Sequence, residues 1–374
     1  MRLRLLALFL LSALAPALAT ADQPPPPGAE PPVVVLPPDE REPLKIFRIE
    51  ADGLDWGVGK LNCVEAHKTT KGKGVRVANL DTGVDASHPD LKDAIADAAD
   101  LKNFTSSRLG FLDKQGHGTH TIGRMLARGP NHGVAPEAAL IVGKVLGDDG
   151  SGSVTWIAAG IRWADVERNA DVISLSLGGP SADSYIPKAA MEAESHGVIL
   201  IAAAGNEGPN PNTVGYPGGY NQFVAVGATD INNAVARFSS RGPAVFVSAP
   251  GVNIRSQYPG GQYATMSGTS MACPHVAGLA ALWVAANPDV PKKERPAKFR
   301  AALQAACADL GPVGRDTAYG WGFPDAAKLV IQVAPPPKDK FPRTIEFGPG
   351  DFTPSGLEKL KRLGVEGFSF TLKP

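Results

Sequence analysis

The sequence predicts a three-layer α/β/α fold with a mainly parallel central sheet. Short β-rich segments alternate with segments of helical periodicity over residues 45–333, as in sheets whose strands are connected by helices. Several β-rich segments are apolar at consecutive positions, which is typical of strands covered by helices on both faces. The composition, 43% hydrophobic and 20% charged, indicates a soluble globular protein with a large core.

The predicted elements begin about thirty residues into this region. The strands are expected at residues 75–80, 139–145, 172–177, 198–203, 223–228 and 245–249. The helices are expected at residues 118–127, 154–169, 184–196, 270–286 and 292–308. Because active sites of such sheets lie beyond the carboxyl ends of the strands, the polar residues that follow each strand are the first candidates for function.

Residues 1–21 have the pattern of a cleavable signal peptide. Two arginines precede an apolar run over residues 5–14, and small residues close the segment. The run is broken by Pro16 and is shorter than the roughly 20 residues that cross a bilayer, so an uncleaved anchor or a buried N-terminal helix is the less favoured alternative. We expect a secreted or periplasmic protein that does not contact a membrane after the signal is removed.

A proline-rich arm over residues 22–44 and a tail over residues 334–374 flank the α/β domain. Nine prolines lie between Pro24 and Pro43. Proline fixes φ and removes a backbone donor, so the arm is expected to be an extended spacer, with a ligand for a small recognition domain as the alternative. The tail contains a short helix candidate at residues 355–363 and is too small to fold alone.

The charge and cysteine counts argue against several classes of function. With 37 basic and 37 acidic residues, the chain has no net field that would attract nucleic acid or an anionic membrane. Three cysteines without CxxC spacing argue against a zinc site or a disulfide framework, and we expect buried thiols. The expected partners are therefore protein or peptide substrates, and the protein is expected to be a monomer.

Four polar residues with complementary chemistry lie at predicted element boundaries. Asp81 follows the first strand, Asn206 follows the fourth, and His117 and Ser270 begin helices. A serine attacks only when an imidazole takes its proton, and a carboxylate must hold that imidazole in one tautomer. An asparagine amide and the N–H groups of a helix N-terminus can stabilise the oxyanion that forms at an acyl carbon. Together the four residues supply the groups needed for acyl transfer to serine.

Taken singly, each of these residues has an ordinary structural interpretation. Asp81 could be a strand-end turn residue, Asn206 a left-handed turn residue, His117 a satisfied helix-start residue and Ser270 an N-cap. Two further histidines, His120 and His275, are interpreted as structural, because neither has the spacing of a metal-ligand motif.

Three long segments carry a resemblance to a known family. They are VANLDTGVDASHPDL around Asp81, GHGTHTIG around His117 and GTSMACPHVAGLAAL around Ser270. In these segments and their order the chain resembles the subtilisin-family (subtilase) serine endopeptidases over about residues 55–330. An α/β-hydrolase would instead show GxSxG with its histidine last, whereas here the fifth position of the motif is Ala272.

The resemblance implies a role for each matching position. Asp81, His117 and Ser270 would form the catalytic triad, and Asn206 would bind the oxyanion. Two stretches would pair with an extended substrate as added β-strands: Gly150, Ser151 and Gly152, and Ser176, Leu177 and Gly178. The pocket for the residue before the scissile bond would be lined by Ala203, Ala204, Gly205 and Gly215.

These small lining residues predict a preference for large apolar or aromatic side chains before the scissile bond. Glu207 lies at the rim of the pocket, where it would either admit Lys and Arg as well or remain a solvated carboxylate. The runner-up function is a catalytically silent, subtilase-like binding module, and the presence of all four catalytic residues argues against it.

The chain departs from the family pattern at two places. Fewer than 30 residues separate the signal segment from Glu50, which leaves no room for a folded prodomain. Either the domain folds unaided, or residues 44–53 act as a short inhibitory segment laid over the cleft. Residues 122–134 lack the neutral oxygen ligands of the family's calcium loop, so we expect no required cofactor or metal, with a weaker calcium site elsewhere left open.

Overall fold

The computed structural model describes residues 54–330 and the backbone of two short strands that precede them. The strands are β1 (Val33–Val35), β2 (Ile46–Phe47), β3 (Arg76–Asp81), β4 (Leu101–Asn103), β5 (Ala139–Lys144), β6 (Ser151–Ser153), β7 (Val172–Leu175), β8 (Ile199–Ala203), β9 (Phe223–Thr229), β10 (Val245–Pro250), β11 (Ile254–Tyr258), β12 (Gln262–Met266), β13 (Cys307–Ala308) and β14 (Phe323–Pro324). The α-helices are α1 (Trp56–Lys60), α2 (Cys63–Ala66), α3 (His117–Leu126), α4 (Val154–Arg162), α5 (Tyr185–Ser195), α6 (Thr269–Ala286), α7 (Arg295–Ala306) and α8 (Ala326–Val330). The predicted signal peptide and the predicted tail helix lie outside the described residues.

Seven parallel strands form the central sheet, in the order β10-β9-β8-β7-β3-β5-β4. The chain begins this sheet at β3, adds β4 and β5 on one side, and then adds β7 to β10 on the other. The direction of growth therefore reverses at β3. Ligand sites of parallel sheets lie at such switch points, beyond the carboxyl ends of the strands, and the carboxyl end of β3 is Asp81.

Helices cover both faces of the sheet, as the sequence predicts. Successive residues of a strand point to opposite faces, and Val77 and Ala78 accordingly belong to two separate hydrophobic clusters. The cluster that contains Val77 includes side chains of α3, α6, α7 and α8. The cluster that contains Ala78 includes side chains of α4 and α5. The fold is a three-layer α/β/α sandwich.

The six predicted strands are all present, each within two residues of its expected bounds. The predicted helix at 154–169 is α-helical only as far as Arg162 and continues as a π-helix over Trp163–Glu167. The last predicted helix begins as a 3₁₀ turn at Lys292–Glu294. The sequence does not predict the short strands β4 and β6 or the β11–β12 hairpin, because three to five residues that are mostly polar or small carry no clear periodicity.

Helix α6 runs through the middle of the core. It is apolar and long enough to cross a membrane, but 89% of its most apolar window is buried inside the protein. Strands β7 to β10 and helices α3 and α8 pack around it. Close packing requires a glycine at Gly278, where a Cβ atom would lie 2.5 Å from the Cβ of Val134.

The two histidines interpreted as structural are fully buried within this core. His120 donates from Nε2 to the carbonyl oxygens of Ile254 and Ala264, at 3.1 and 3.2 Å, and so ties α3 to the β11–β12 hairpin. His275 donates from Nδ1 to the carbonyl of Met271 at 2.8 Å. Burial lowers the pKa of His120 to about 3 and that of His275 to about 4, so both are neutral near pH 7.

The three cysteines are free thiols, as predicted. Cys63 and Cys273 are buried, and Cys307 is partly buried. Burial raises the pKa of the Cys273 thiol to about 11, which leaves it protonated and unreactive at neutral pH.

We predict that Gly278→Ala destabilises the protein by about 1–3 kcal/mol, since the added methyl group must displace Val134. Gly59→Ala is the matched control, because Gly59 also lies in a helix but has nothing within 4 Å of its Cβ position. The control should gain about 0.5–1 kcal/mol from helix propensity. Urea denaturation of the two variants measures both effects, and equal stabilities would contradict the close packing of α6.

Candidate active site

The predicted acid and base meet at the carboxyl edge of the sheet. Asp81 ends β3 and His117 is the first residue of α3. His117 donates from Nδ1 to Oδ1 of Asp81 at 2.8 Å, and both side chains are almost completely buried. Because Nδ1 carries the proton that is donated to Asp81, Nε2 is the basic nitrogen of the ring. This is the geometry in which a carboxylate orients a general base.

Thr82 connects the two residues through a second set of bonds. Its backbone N–H donates to Oδ1 of Asp81 at 2.7 Å, and its hydroxyl accepts from the N–H of Gly118 at 2.8 Å. The hydroxyl also donates to Oδ1 of Asp113 at 2.8 Å. Lys144, fully buried at the end of β5, donates from Nζ to the Thr82 carbonyl. Three residues outside the predicted site thus hold the Asp81 turn in place.

Asp113 fixes the start of α3. Its Oδ1 accepts from the N–H of Gly116 at 2.7 Å, and its Oδ2 accepts from both the N–H and the hydroxyl of Thr119. Gly116 has φ 95°, and a Cβ there would lie 2.2 Å from the ring of Tyr258. A side chain at this position would therefore clash with the Tyr258 ring. Asp113 is not among the predicted site residues, because its burial and its donors are visible only in the folded structure.

Ser270 lies in the first turn of α6, at the carboxyl end of the neighbouring strand β7. Its hydroxyl donates to the Ser176 carbonyl at 3.1 Å, and the Ser176 hydroxyl donates back to the Ser270 carbonyl at 2.9 Å. That carbonyl has no i+4 donor in the helix because Pro274 lacks an N–H. The proline therefore leaves the Ser270 carbonyl available to the hydroxyl of Ser176, the residue directly after β7. Since β3 and β7 are neighbours, Ser270 and the Asp81–His117 pair share one edge of the sheet.

Asn206 lies on the other side of the Ser270 turn. Its side-chain oxygen accepts from both the N–H and the hydroxyl of Thr269, at 3.0 and 2.9 Å. These bonds assign the carboxamide orientation and direct Nδ2 towards Gly268, whose Cβ position is 3.4 Å away. The Nδ2 group therefore lies beside the N-terminus of α6, where a carboxamide donor could stabilise an oxyanion.

The predicted substrate-binding stretches lie at β6 and directly after β7. Ser151 and Gly152 belong to β6, and Gly150 precedes it with φ 81°. A Cβ at Gly152 would lie 2.4 Å from the Val145 carbonyl, so only glycine fits there. The second stretch, Ser176, Leu177 and Gly178, follows the carboxyl end of β7.

The predicted pocket residues also come together. Ala203 ends β8, and the N–H of Gly215 donates to the Ala204 carbonyl at 3.0 Å. Gly205 has φ 107°, and a Cβ there would lie 2.5 Å from Oε2 of Glu207. The same Glu207 oxygen accepts from the Ser240 hydroxyl at 2.9 Å. One oxygen of this exposed carboxylate is therefore fixed against the pocket wall.

Helix α3 carries an internal guanidinium group near its C-terminal end. Arg124 is fully buried and donates to the Asn131 carbonyl at 2.9 Å, and its Nη1 lies 3.8 Å from Oδ1 of Asp55. The Asn131 carbonyl also accepts from the side-chain amide of Gln257, and the side-chain oxygen of Asn131 accepts from the N–H of Asp55. These oxygens already face donors and a positive charge, so they do not fit calcium. Within residues 54–330, no cluster of three His, Cys, Asp or Glu side chains could hold a metal.

Comparison with known proteins agrees with this arrangement. Residues 72–322 match the family model described as the subtilase family, Peptidase_S8. The chain is 46% identical over 233 residues to the Thermostable alkaline protease of Halalkalibacterium halodurans, an alignment that covers 61% of this chain and 62% of that protein. It is 44% identical over 242 residues to Subtilisin Savinase of Lederbergia lenta, covering 64% of this chain and 87% of that protein.

A third relative is the Intracellular serine protease of Paenibacillus polymyxa, 44% identical over 236 residues, with 60% of this chain and 71% of that protein covered. The alignment therefore covers less than two thirds of the length of the Halalkalibacterium halodurans protease. The family model spans most of the described residues and includes Asp81, His117, Asn206 and Ser270. The chain belongs to the subtilase family.

Proposed function

We propose that the protein is an exported serine endopeptidase that hydrolyses peptide bonds through an acyl-enzyme on Ser270. The observation that carries this proposal is the buried hydrogen bond between His117 and Asp81, on the same sheet edge as Ser270. The names of the relatives, which are proteases, support it. The pattern of residues 1–21 supports export.

In the first half of the reaction, Nε2 of His117 takes the proton of the Ser270 hydroxyl as the oxygen attacks the substrate carbonyl. The hydroxyl exchanges its present acceptor, the Ser176 carbonyl, for the imidazole. The oxyanion receives hydrogen bonds from Nδ2 of Asn206 and from the N–H of Ser270. Protonated His117, stabilised by Asp81, then donates its proton to the leaving amine. Water hydrolyses the acyl-enzyme by the same steps, with His117 again as the base.

A silent binding module would not require this arrangement. Buried Asp81, Asp113 and Lys144 each cost desolvation free energy, which their hydrogen bonds must offset. The hydrogen bonds of these groups converge on the orientation of Asp81 and His117. Preserving a preorganised general base is useful to an enzyme and has no use in a binding surface.

A fluorophosphonate probe tests the proposed nucleophile. The probe should label the wild-type protein, and Ser270→Ala should abolish both labelling and the hydrolysis of casein. Ser267→Ala is the matched control: this nearby hydroxyl contacts the N–H of Asn253 and should be dispensable. Folded wild-type protein that is neither labelled nor active would refute the proposal.

Two further variants separate the roles of the supporting groups. Asp81→Asn should lower kcat about 10⁴-fold, because the amide favours the wrong imidazole tautomer. Asn206→Ala should lower kcat about 10²- to 10³-fold, the loss known for the corresponding asparagine of a subtilisin, with KM nearly unchanged. The Asn206→Ala variant should still be labelled by the probe, although more slowly.

We further propose broad specificity, with a preference for large apolar or aromatic residues before the scissile bond. Substrate binding by strand edges depends on main-chain hydrogen bonds, which discriminate little between side chains. The pocket is lined by alanines and glycines, which leave space for a large side chain. The fixed position of the Glu207 carboxylate against Gly205 supports acceptance of Lys and Arg as well.

The charge of Glu207 should affect basic substrates only. Because an exposed ion pair contributes about 1 kcal/mol at most, Glu207→Gln should lower kcat/KM for a peptide with Lys before the scissile bond about fivefold. The same peptide with Phe at that position should be cleaved at an unchanged rate. Equal effects on the two peptides would contradict a role of the charge, and a strict preference for acidic residues would refute the proposed pocket.

We also propose that the enzyme requires no calcium, because the Arg124 guanidinium provides a fixed positive charge among Asp55, Asn131 and Gln257. Arg124 belongs to the helix that begins with His117, so its contacts also support the catalytic helix. A charge held covalently cannot be lost by dilution, unlike a bound ion whose contribution depends on its concentration.

The melting temperature should therefore be the same in the presence of EDTA and in the presence of calcium. Arg124→Met should destabilise the protein by about 3–5 kcal/mol, since it leaves the buried Asp55 carboxylate without its counter-charge. Arg128→Met, an exposed change two residues beyond the same helix, should cost far less. A clear rise in melting temperature with calcium would contradict the proposal.

A further inference from the structure

Two histidines from distant segments contact each other outside the candidate active site. His67 directly follows α2, and His132 lies in the segment that joins α3 to β5. Their ring centroids are 5.1 Å apart, and the ring planes are tilted by 52°. Both residues are half-buried, whereas four of the other five histidines are buried and the fifth, His196, is bonded to Asp165. The proposed catalysis uses neither His67 nor His132.

A hydrogen bond to the backbone fixes the tautomer of each ring. Nε2 of His67 donates to the Val134 carbonyl at 2.8 Å, and Nδ1 of His132 donates to the Gly133 carbonyl at 2.8 Å. A carbonyl oxygen can only accept, so these two nitrogens carry the protons. The second nitrogen of each neutral ring therefore has a lone pair, and among residues 54–330 it has no hydrogen-bond partner. Histidines that bind metals are held in this way, with the other N–H bonded to a carbonyl or a carboxylate.

The separation of the two rings suits one metal ion bound by both. Zinc binds an imidazole nitrogen at about 2.0–2.1 Å, and that nitrogen lies about 1.2 Å from the ring centroid. Two imidazoles on one tetrahedral ion therefore have centroids about 5 Å apart. The distance between the centroids of His67 and His132, 5.1 Å, agrees with this value.

The charges around the pair do not oppose the binding of a cation. Lys71 and Glu137 both act on His67, and their charged atoms are 4.0 Å apart, so their effects largely offset each other. Partial burial lowers the pKa of His67, and the neighbouring His132 and Lys71 lower it further. The ring is therefore mostly neutral at pH 7, which is the form that binds metals.

We propose that His67 and His132 together bind one zinc ion, or another divalent ion that prefers nitrogen ligands, with water completing the coordination. Imidazole suits Zn²⁺, Cu²⁺ and Ni²⁺, whereas calcium and magnesium prefer oxygen ligands. The pair supplies half of the four protein ligands of a structural zinc site, so we expect a Kd of about 1–100 µM for Zn²⁺. The proposal does not depend on the peptidase function.

A bound ion would connect the N-terminal helices to the catalytic helix. His67 ends the α2 turn, whereas the segment of His132 is bonded to the end of α3, where the Val134 N–H donates to the Arg124 carbonyl at 3.0 Å. The two rings are held close together only in the folded chain, so binding of the ion stabilises that state. At a zinc concentration of about 100 times Kd, the melting temperature should rise by about 5 °C.

Calorimetric titration of the full chain with Zn²⁺ tests the site. All proteins carry Ser270→Ala, so that self-cleavage cannot change the sample. His132→Gln is the main variant, because this ring hydrogen-bonds only to the carbonyl of the next residue and its loss should leave the fold intact. His67→Gln is the second variant. His196→Gln is the matched control, because it removes the remaining histidine with an exposed side chain.

The parent and the control should bind a zinc ion in the expected range of Kd, and each of the two variants should weaken that binding at least about tenfold. The rise in melting temperature with zinc should disappear in the same two proteins. Electron paramagnetic resonance of the parent loaded with Cu²⁺ provides a measurement that needs no variant, and it should show two coordinating nitrogens.

Three results would overturn the proposal: no binding by the parent, equal binding by all four proteins, or a Cu²⁺ spectrum with a single coordinating nitrogen. Melting temperatures measured without metal verify that each variant is folded. Zinc bound elsewhere, for example at His117, would remain in both variants and is thereby distinguished from the shared site.

Discussion

The burial of helix α6 is the constraint on which the rest of the structure depends. Residues Thr269 through Val284 are all buried, so the helix has one orientation in which strands, α3 and α8 can surround it. Its N-terminal turn is consequently held at the carboxyl edge of the sheet. The first-turn carbonyl of Ser270 cannot bond to Pro274, and it bonds instead to Ser176 after β7. Ser270, the proposed nucleophile, is thus positioned by the core, and the loops add only the final contacts.

The polar groups around the acid–base pair extend this rigidity. Buried charges are stable only when hydrogen bonds replace the water they have lost. Asp113 therefore gathers donors from the start of α3, and Lys144 donates to the carbonyl of the residue after Asp81. Each bond satisfies a buried group and also restricts the orientation of Asp81 or His117. Stability and the preorganisation of the proposed base, His117, arise here from the same contacts.

Sequence patterns could predict the parts of the fold that have strong periodicity or distinctive chemistry. The buried parallel strands and the longer helices have clear apolar patterns, and Asp81, His117, Asn206 and Ser270 stand at predicted element ends. Thr82, Asp113 and Lys144 could not be identified, since a polar residue reveals its burial only when distant segments are packed together. Arg124 is a similar case, because its partner Asp55 lies in a different segment. Short edge strands such as β6 depend on partners that are remote in sequence.

Strand β6 connects the fold to the proposed recognition of the substrate. A strand edge with free N–H and C=O groups binds any extended chain, and this property serves substrate recognition while exposing the protein to unwanted pairing. Strand β1 of the same chain pairs with this edge, and the two prolines that follow Leu36 in the sequence have no N–H to donate. The proposed broad specificity follows from recognition of the main chain, since main-chain hydrogen bonds to β6 do not depend on the side chains of the strand that pairs with it.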